Sequence, residues 1–171
     1  MDCPFFKGMA GAIFVSNKNC MKTGKEILIR SADKKGTITT NSEYIFHFSS
    51  YPADKNISLF EGYFKNAGTN KNLHYHKMMT EIFTVIHGEF FFNTVNEEYI
   101  LRANDTLIIP PLVVHGFRAK LPGSRLQFVS SGIINREDFF QELAKIVNGE
   151  TVLSEEETEA FYNRHDQYTI K

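Results

Sequence analysis

Between residues 26 and 131 the chain passes through ten short segments whose rhythm leaves few folds open. EILIR, GTITT, EYIFHFS, ISLFEGYF, EIFTVIH, EFFFNTV, EEYILR, DTLIIP, VVHGFRA and RLQFVS are each rich in β-branched and aromatic residues and separated by Gly, Asn, Asp or Pro. No helical period interrupts them. Strands at this density predict an all-β antiparallel sandwich or barrel and argue against alternating βαβ units. Sixteen Phe and seven Tyr against no Trp fit that reading, and 171 residues suit one domain with its own core.

The texture changes at both ends. Residues 1–25 carry Gly8, Gly11 and Gly24 without a clear period, which predicts an irregular N-terminal arm with at most a short strand at AIFV. After residue 134 the period becomes helical. Asn135 is placed to cap a helix whose Phe139, Phe140, Leu143, Ile146 and Val147 share one face, and Gly149 is placed to end it. Ser154 followed by Glu157 is a capping-box pattern, and Glu155 and Glu156 suit the positive end of a helix dipole, so a second helix is expected over about 155–165. The organisation read from the sequence is an arm (1–25), a β-barrel (26–134) and a helical extension packed on the barrel (135–171). The extension's apolar stripe is expected against the outside of the barrel or against a second subunit.

Nineteen basic and twenty acidic residues leave a net charge of −1, so no global field draws the chain to nucleic acid or to an anionic membrane. Lys18, Lys22 and Lys25 are too sparse for a phosphate site and read as solvated surface. Cys3 and Cys20 have neither metal-ligand spacing nor the number for a disulfide framework. There is no apolar run of membrane-spanning length and no basic leader, and a cytoplasmic location is the expectation.

The chemistry concentrates in GTNKNLHYHKMMTEIFTVIHG, residues 68–88. Alternation along a strand turns His74 and His76 to one side and Tyr75 to the other, as two imidazoles on one metal require. KMMT has the length of a hairpin connection, after which Glu81 can face back toward the pair. An antiparallel sheet could add His115 from VVHGF. Three imidazoles and a carboxylate suit a divalent transition metal and leave coordination positions open. An HxH pair alone is more often a half-exposed polar pair.

The frame around these residues is more specific. Gly68, His74, His76, Glu81 and Gly88 reproduce in every specified position the spacing of the first signature motif of the cupin family, which this stretch resembles. The second motif matches at Pro110 and His115, but has Asn104 for its opening Gly, Leu112 for an internal Gly and Ala119 for an Asn. Asn104 tolerates a left-handed backbone, whereas Leu112 does so only at a cost, so the loop before His115 is expected to take a different shape. The resemblance implies a double-stranded β-helix, or jelly-roll barrel, with two helices appended. It also implies one divalent ion (Fe, Mn, Ni, Co or Zn) on His74, His76, Glu81 and His115, and commonly a homodimer.

Fold does not select among the activities found on such barrels. The ligand set and nearby aromatics favour a quercetin-dioxygenase-like oxygenase on a small organic substrate, with Glu81 as ligand and base. A redox-neutral isomerase or decarboxylase and a non-catalytic small-molecule binder compete with it. If alternation holds, Phe83, Phe92 and Phe117 line the substrate pocket, and His47 could face it as a proton-transfer group. His87 reads as a barrel-end residue, Arg118 as pointing outward, and His165 as a partner of its helix dipole.

Overall fold

The computed structural model describes residues 36–40, 44–50, 57–132 and 136–170, with 36–39 and 44–50 described by backbone alone. The N-terminal arm, both cysteines, the segment EILIR and Asn135 lie outside the described residues. The elements are β1 (Gly36–Thr39), β2 (Tyr44–Ser50), β3 (Ile57–Phe64), β4 (His74–Tyr75), β5 (Thr80–His87), β6 (Glu89–Asn93), β7 (Glu98–Arg102), β8 (Thr106–Ile109), β9 (Gly116–Ala119) and β10 (Ser124–Ser131), then α1 (Arg136–Val147), α2 (Glu155–Arg164) and β11 (Tyr168–Thr169). Three antiparallel sheets result, ordered β1-β2-β3-β10-β5-β8, β7-β6-β9 and β11-β4. None of the described helices is long and apolar enough to cross a membrane.

Residues directly opposite on paired strands point to the same face, so the register lays out the inner surface of the large sheet in rows. Ser58, Ser130, Glu81 and Ile109 form one row; Phe60, Phe128, Phe83 and Leu107 form the next; Gly62, Leu126 and Val85 form a third. The barrel is therefore polar at the Glu81 end and apolar immediately beyond it. Phe83 meets Phe92 and Phe117 of the three-stranded sheet with ring centroids 5.1 and 5.2 Å apart, and Phe64 meets Phe90 at 5.2 Å. Phe60, Phe83, Phe90 and Phe92 are buried, each contributing about 1.5–3 kcal/mol by removal from water.

The three-stranded sheet covers only part of that inner face. The rest receives α1, whose Phe140 lies 4.7 Å from Phe60 and 5.5 Å from Phe128. The apolar stripe of α1 thus packs on the aromatic row of the large sheet, where among the described residues no strand stands opposite. Phe139 stacks at 5.3 Å on Phe161 of α2 and ties the two helices together. Ser154 and Glu157 form the expected capping box, and Gly149 follows α1 with φ 76°.

Four non-glycine residues are left-handed among the described residues: Asn72, Asn104, Leu112 and Asp166. Asn104 has φ 76°, as its tolerance of that conformation led us to expect. Leu112, against expectation, also takes it, with φ 69° and its N–H donating to the His76 carbonyl at 2.7 Å. The loop keeps the course that a glycine would allow and bears the cost in its backbone, on the order of 1–2 kcal/mol. Leu112 is 67% exposed, so little burial is lost by removing its side chain. Leu112→Gly is expected to stabilise the protein by about 0.5–1 kcal/mol once glycine's greater entropy loss is counted. Urea unfolding checks this: a midpoint that falls shows the conformation to be unstrained.

Candidate metal centre

The centre is assembled by main-chain pairing outside the large sheet. His74 exchanges both backbone hydrogen bonds with His115, N–H to carbonyl at 2.8 Å each way, so the two rings start from directly opposed Cα positions. His76 lies two residues on, and Tyr75 turns away to stack on Tyr168 at 5.2 Å. The intervening KMMT is not a hairpin, because β4 pairs with β11 and β5 belongs to the large sheet. The segment crosses between sheets and delivers Glu81 on the same face as Phe83 and Val85.

The four side chains are buried, and one donor atom from each lies within 4.8 Å of all the others. Glu81 Oε2 sits 3.1 Å from His76 Nε2 and 3.0 Å from His115 Nε2. Each imidazole is fixed through its other nitrogen. His74 Nδ1 donates to the Asn72 carbonyl at 2.7 Å, His115 Nδ1 to the Val113 carbonyl at 2.9 Å, and His76 Nδ1 to the Asp166 carbonyl at 2.5 Å. A carbonyl only accepts, so Nδ1 carries the proton and the Nε2 of a neutral ring is left as a lone pair.

That arrangement tests whether a metal fits. Imidazole lone pairs and a carboxylate oxygen are all acceptors, and two of the imidazoles lie within hydrogen-bond distance of the carboxylate. A cation among them satisfies all. Two donors bound at about 2.1 Å and at right angles to each other stand about 3.0 Å apart, the spacing observed here. Three imidazoles and one carboxylate are borderline-to-hard ligands that admit Fe, Mn, Ni, Co or Zn.

Electrostatics supports the ligating protonation states. Burial, and after it the neighbouring His115, lower the His74 pKa to about 3, leaving a neutral ring at physiological pH. Burial alone would raise Glu81. The neighbouring His115, His76 and Arg136 outweigh it and hold the carboxyl well below its usual range.

Phe83 and Phe117 line a cavity of about 850 Å³ together with His74, Glu81, Phe128 and Arg136. Phe92 does not reach it. It stacks behind Phe117 at 5.5 Å and borders a separate space of about 200 Å³ near His115, because the β6 ring is screened by Phe83 and Phe117. His47 sits in β2 opposite Glu61, and its side chain lies outside the described ones. His87 is exposed at the end of β5. Arg118 turns outward over Phe91 and bonds Asn93 at 2.6 Å and Glu98 at 2.8 Å. His165 is buried between Phe139 and Phe161, and burial lowers its pKa, which opposes the charge that a dipole role needs.

Sequence reading missed Asp166 and Arg136. Asp166, with φ 56°, holds His76 through its carbonyl, while its carboxylate accepts from the N–H groups of Lys77 at 3.0 Å and Met78 at 2.9 Å. Nothing periodic marks it in RHDQY. Arg136 did leave a signal, since a cation in the first turn of a helix opposes the dipole and needs another reason to be there.

Three outcomes follow. His76→Ala is expected to abolish stoichiometric metal while leaving the far-ultraviolet circular dichroism nearly unchanged; retained metal by elemental analysis locates the site elsewhere. Asp166→Gly keeps the backbone conformation and removes the carboxylate, and metal affinity should drop about 10–100-fold by competition with a chelator dye. In chelator-treated protein, His74 is depressed from 6.5 in the unfolded chain to about 3, so its contribution is complete above pH 6.5 and is lost as pH falls toward 3. Glu81 acts in the same direction at lower pH. The thermal midpoint should fall between pH 7 and 5, less steeply in His74→Asn; equal slopes count against the assignment.

Comparisons with known proteins bear on the fold. Residues 65–130 match the Cupin domain family. No protein of curated function matches the sequence. Among solved structures, KdgF from Halomonas sp. superposes with a TM-score of 0.52 at 18% identity, over 60% of this chain and 92% of that one. An RmlC-like cupin from Shewanella frigidimarina gives 0.49 at 19% identity, over 64% and 93%. Oxalate decarboxylase from Bacillus subtilis gives 0.49 at 18% identity, over 60% and 28%. Likeness at such identities concerns the fold. Over residues 65–130 the chain is similar to the Cupin domain family, and its described residues fold as antiparallel sheets of the jelly-roll kind followed by two C-terminal helices.

Proposed function

We propose that this protein is a metal-dependent enzyme, a quercetin-dioxygenase-like oxygenase acting on a small organic substrate. The observation behind the proposal is the buried group of three histidines and one glutamate, two of whose members, His74 and Glu81, border an aromatic-walled cavity of about 850 Å³. His74, His76, Glu81 and His115 would hold the ion, which when redox-capable supplies a meeting point for substrate and O2.

The protein's own residues do the rest. Phe83, Phe117 and Phe128 present ring surface to an apolar substrate body and keep water from the reacting end. The Nδ1 bonds of the three histidines hold the rings in place, so the centre does not reorganise as substrate enters. Glu81 is ionised at the cavity wall and accepts the substrate's proton. A carboxylate in that role suits substrates with an acidic proton such as flavonols and enolised β-diketones.

Arg136, a cation on the cavity wall, favours a second reading. A carboxylate-bearing substrate suits a redox-neutral decarboxylase or isomerase, in which the ion acts as Lewis acid and zinc suffices. Oxygen separates the two. Iron-, nickel- or manganese-loaded protein incubated with a flavonol or a β-diketone is expected to consume O2 in step with substrate. Turnover indifferent to O2 establishes the redox-neutral reading, and a ligand recovered unchanged from every loaded form establishes a binding protein.

A further inference from the structure

Arg136 has an unusual position for a buried cation. It is 3% exposed at the start of α1, and its guanidinium lies 3.8 Å over the Phe139 ring. One terminal nitrogen donates to the His165 carbonyl at 3.2 Å and the other to Gln167 Oε1 at 3.1 Å. Both acceptors are neutral. These bonds occupy two of the five N–H donors of a guanidinium. The Nε atom is buried without a hydrogen-bond partner, and no carboxylate among the described residues lies within ion-pair distance of the group. A buried charge left in this way is destabilising until an anion meets it.

The same side chain lines the cavity with His74 and Glu81. Glu81 and Asp166 are the negative charges that act on it. Burial lowers its pKa only to about 10, so it stays charged at neutral pH. Each of those carboxylates has other work: Glu81 meets His76 and His115, and Asp166 receives the Lys77 and Met78 amides. With a divalent ion in place, the ion, Glu81, Asp166 and Arg136 together retain one positive charge. Among the described residues the one other cation that borders the cavity is Arg118, whose guanidinium turns away over Phe91 and is paired with Glu98. One spare guanidinium fits a planar monoanion better than a phosphate, which would draw on several cations.

We propose that Arg136 is the anion-recognition residue of this cavity, binding the carboxylate of a substrate whose ring-bearing body lies among Phe64, Phe83, Phe117 and Phe128. This deepens the functional reading above by naming the substrate class, and it rests on that reading only in taking the cavity for the substrate site. It also explains the cation at a helix N-terminus. The cost of placing the charge there is recovered when the anion enters.

The test compares 2-naphthoate with 2-naphthamide, which match in shape and differ in charge, by calorimetry on the full-length protein loaded with zinc. Naphthoate is expected to bind at least about tenfold more tightly. In Arg136→Gln at equal zinc content that ratio should fall about tenfold or more, with the amide's affinity little changed. Equal binding of acid and amide by the wild type overturns the proposal, as does an undiminished ratio in the variant. Because Arg136 also braces the chain at His165 and Gln167, the variant could misfold. The wild-type Nε–H resonance then decides: it should shift downfield with naphthoate and not with naphthamide, and an unmoved resonance overturns the proposal. If the protein takes up no zinc yet keeps its preference for the acid, the metal-centre reading fails while the role of Arg136 stands.

Discussion

The structure turns on three imidazoles held at one nitrogen by main-chain carbonyls so that their other nitrogens converge on the Glu81 carboxylate. Packing four acceptors together is costly in a fold without a cation to share. The surrounding elements make sense as the means of holding them there. The His74–His115 backbone pair sets two rings opposite each other. The crossing from β4 to β5 brings Glu81 to the polar end of the inner face, one row from the Phe60, Phe128 and Phe83 row.

The C-terminal extension is part of that centre. α1 fills the portion of the inner sheet face left open by the three-stranded sheet, α2 stacks on α1 through Phe139 and Phe161, and the chain then returns to pair with β4 as β11. Asp166, at the turn between α2 and β11, is buried and left-handed, and it grips both His76 and the loop that follows. Helical packing energy is thereby coupled to ligand geometry. Losing the extension would release His76 from its carbonyl partner as well as expose aromatic surface.

Much of this was legible beforehand. Strand density and the aromatic excess pointed to the all-β body, and nine of the ten segments read as strands are strands in the structure. Alternation put His74 and His76 on one side because it is a local property of extended chain, whereas Glu81 and His115 were joined to them by the resemblance in motif spacing rather than by a hairpin. Long-range placement was harder to see. Phe92 shares the expected face but is screened by other rings, and the stripe of α1 packs on the inner aromatic row of the large sheet, beside a facing sheet that has three strands among the described residues. Asp166 acts through a carbonyl and two amide contacts, which no side-chain pattern records. Leu112 shows that a turn can keep its path when its residue is unfavourable, provided the neighbouring hydrogen bond to His76 holds it.

X-ray absorption fine structure at the edge of the metal bound by protein purified without chelator or metal-binding tag tests the central claim most directly. The account predicts a shell of nitrogen and oxygen at about 2.1 Å with outer scattering from three imidazoles. A sulfur shell near about 2.3 Å, fewer imidazoles, or no stoichiometric ion would contradict it.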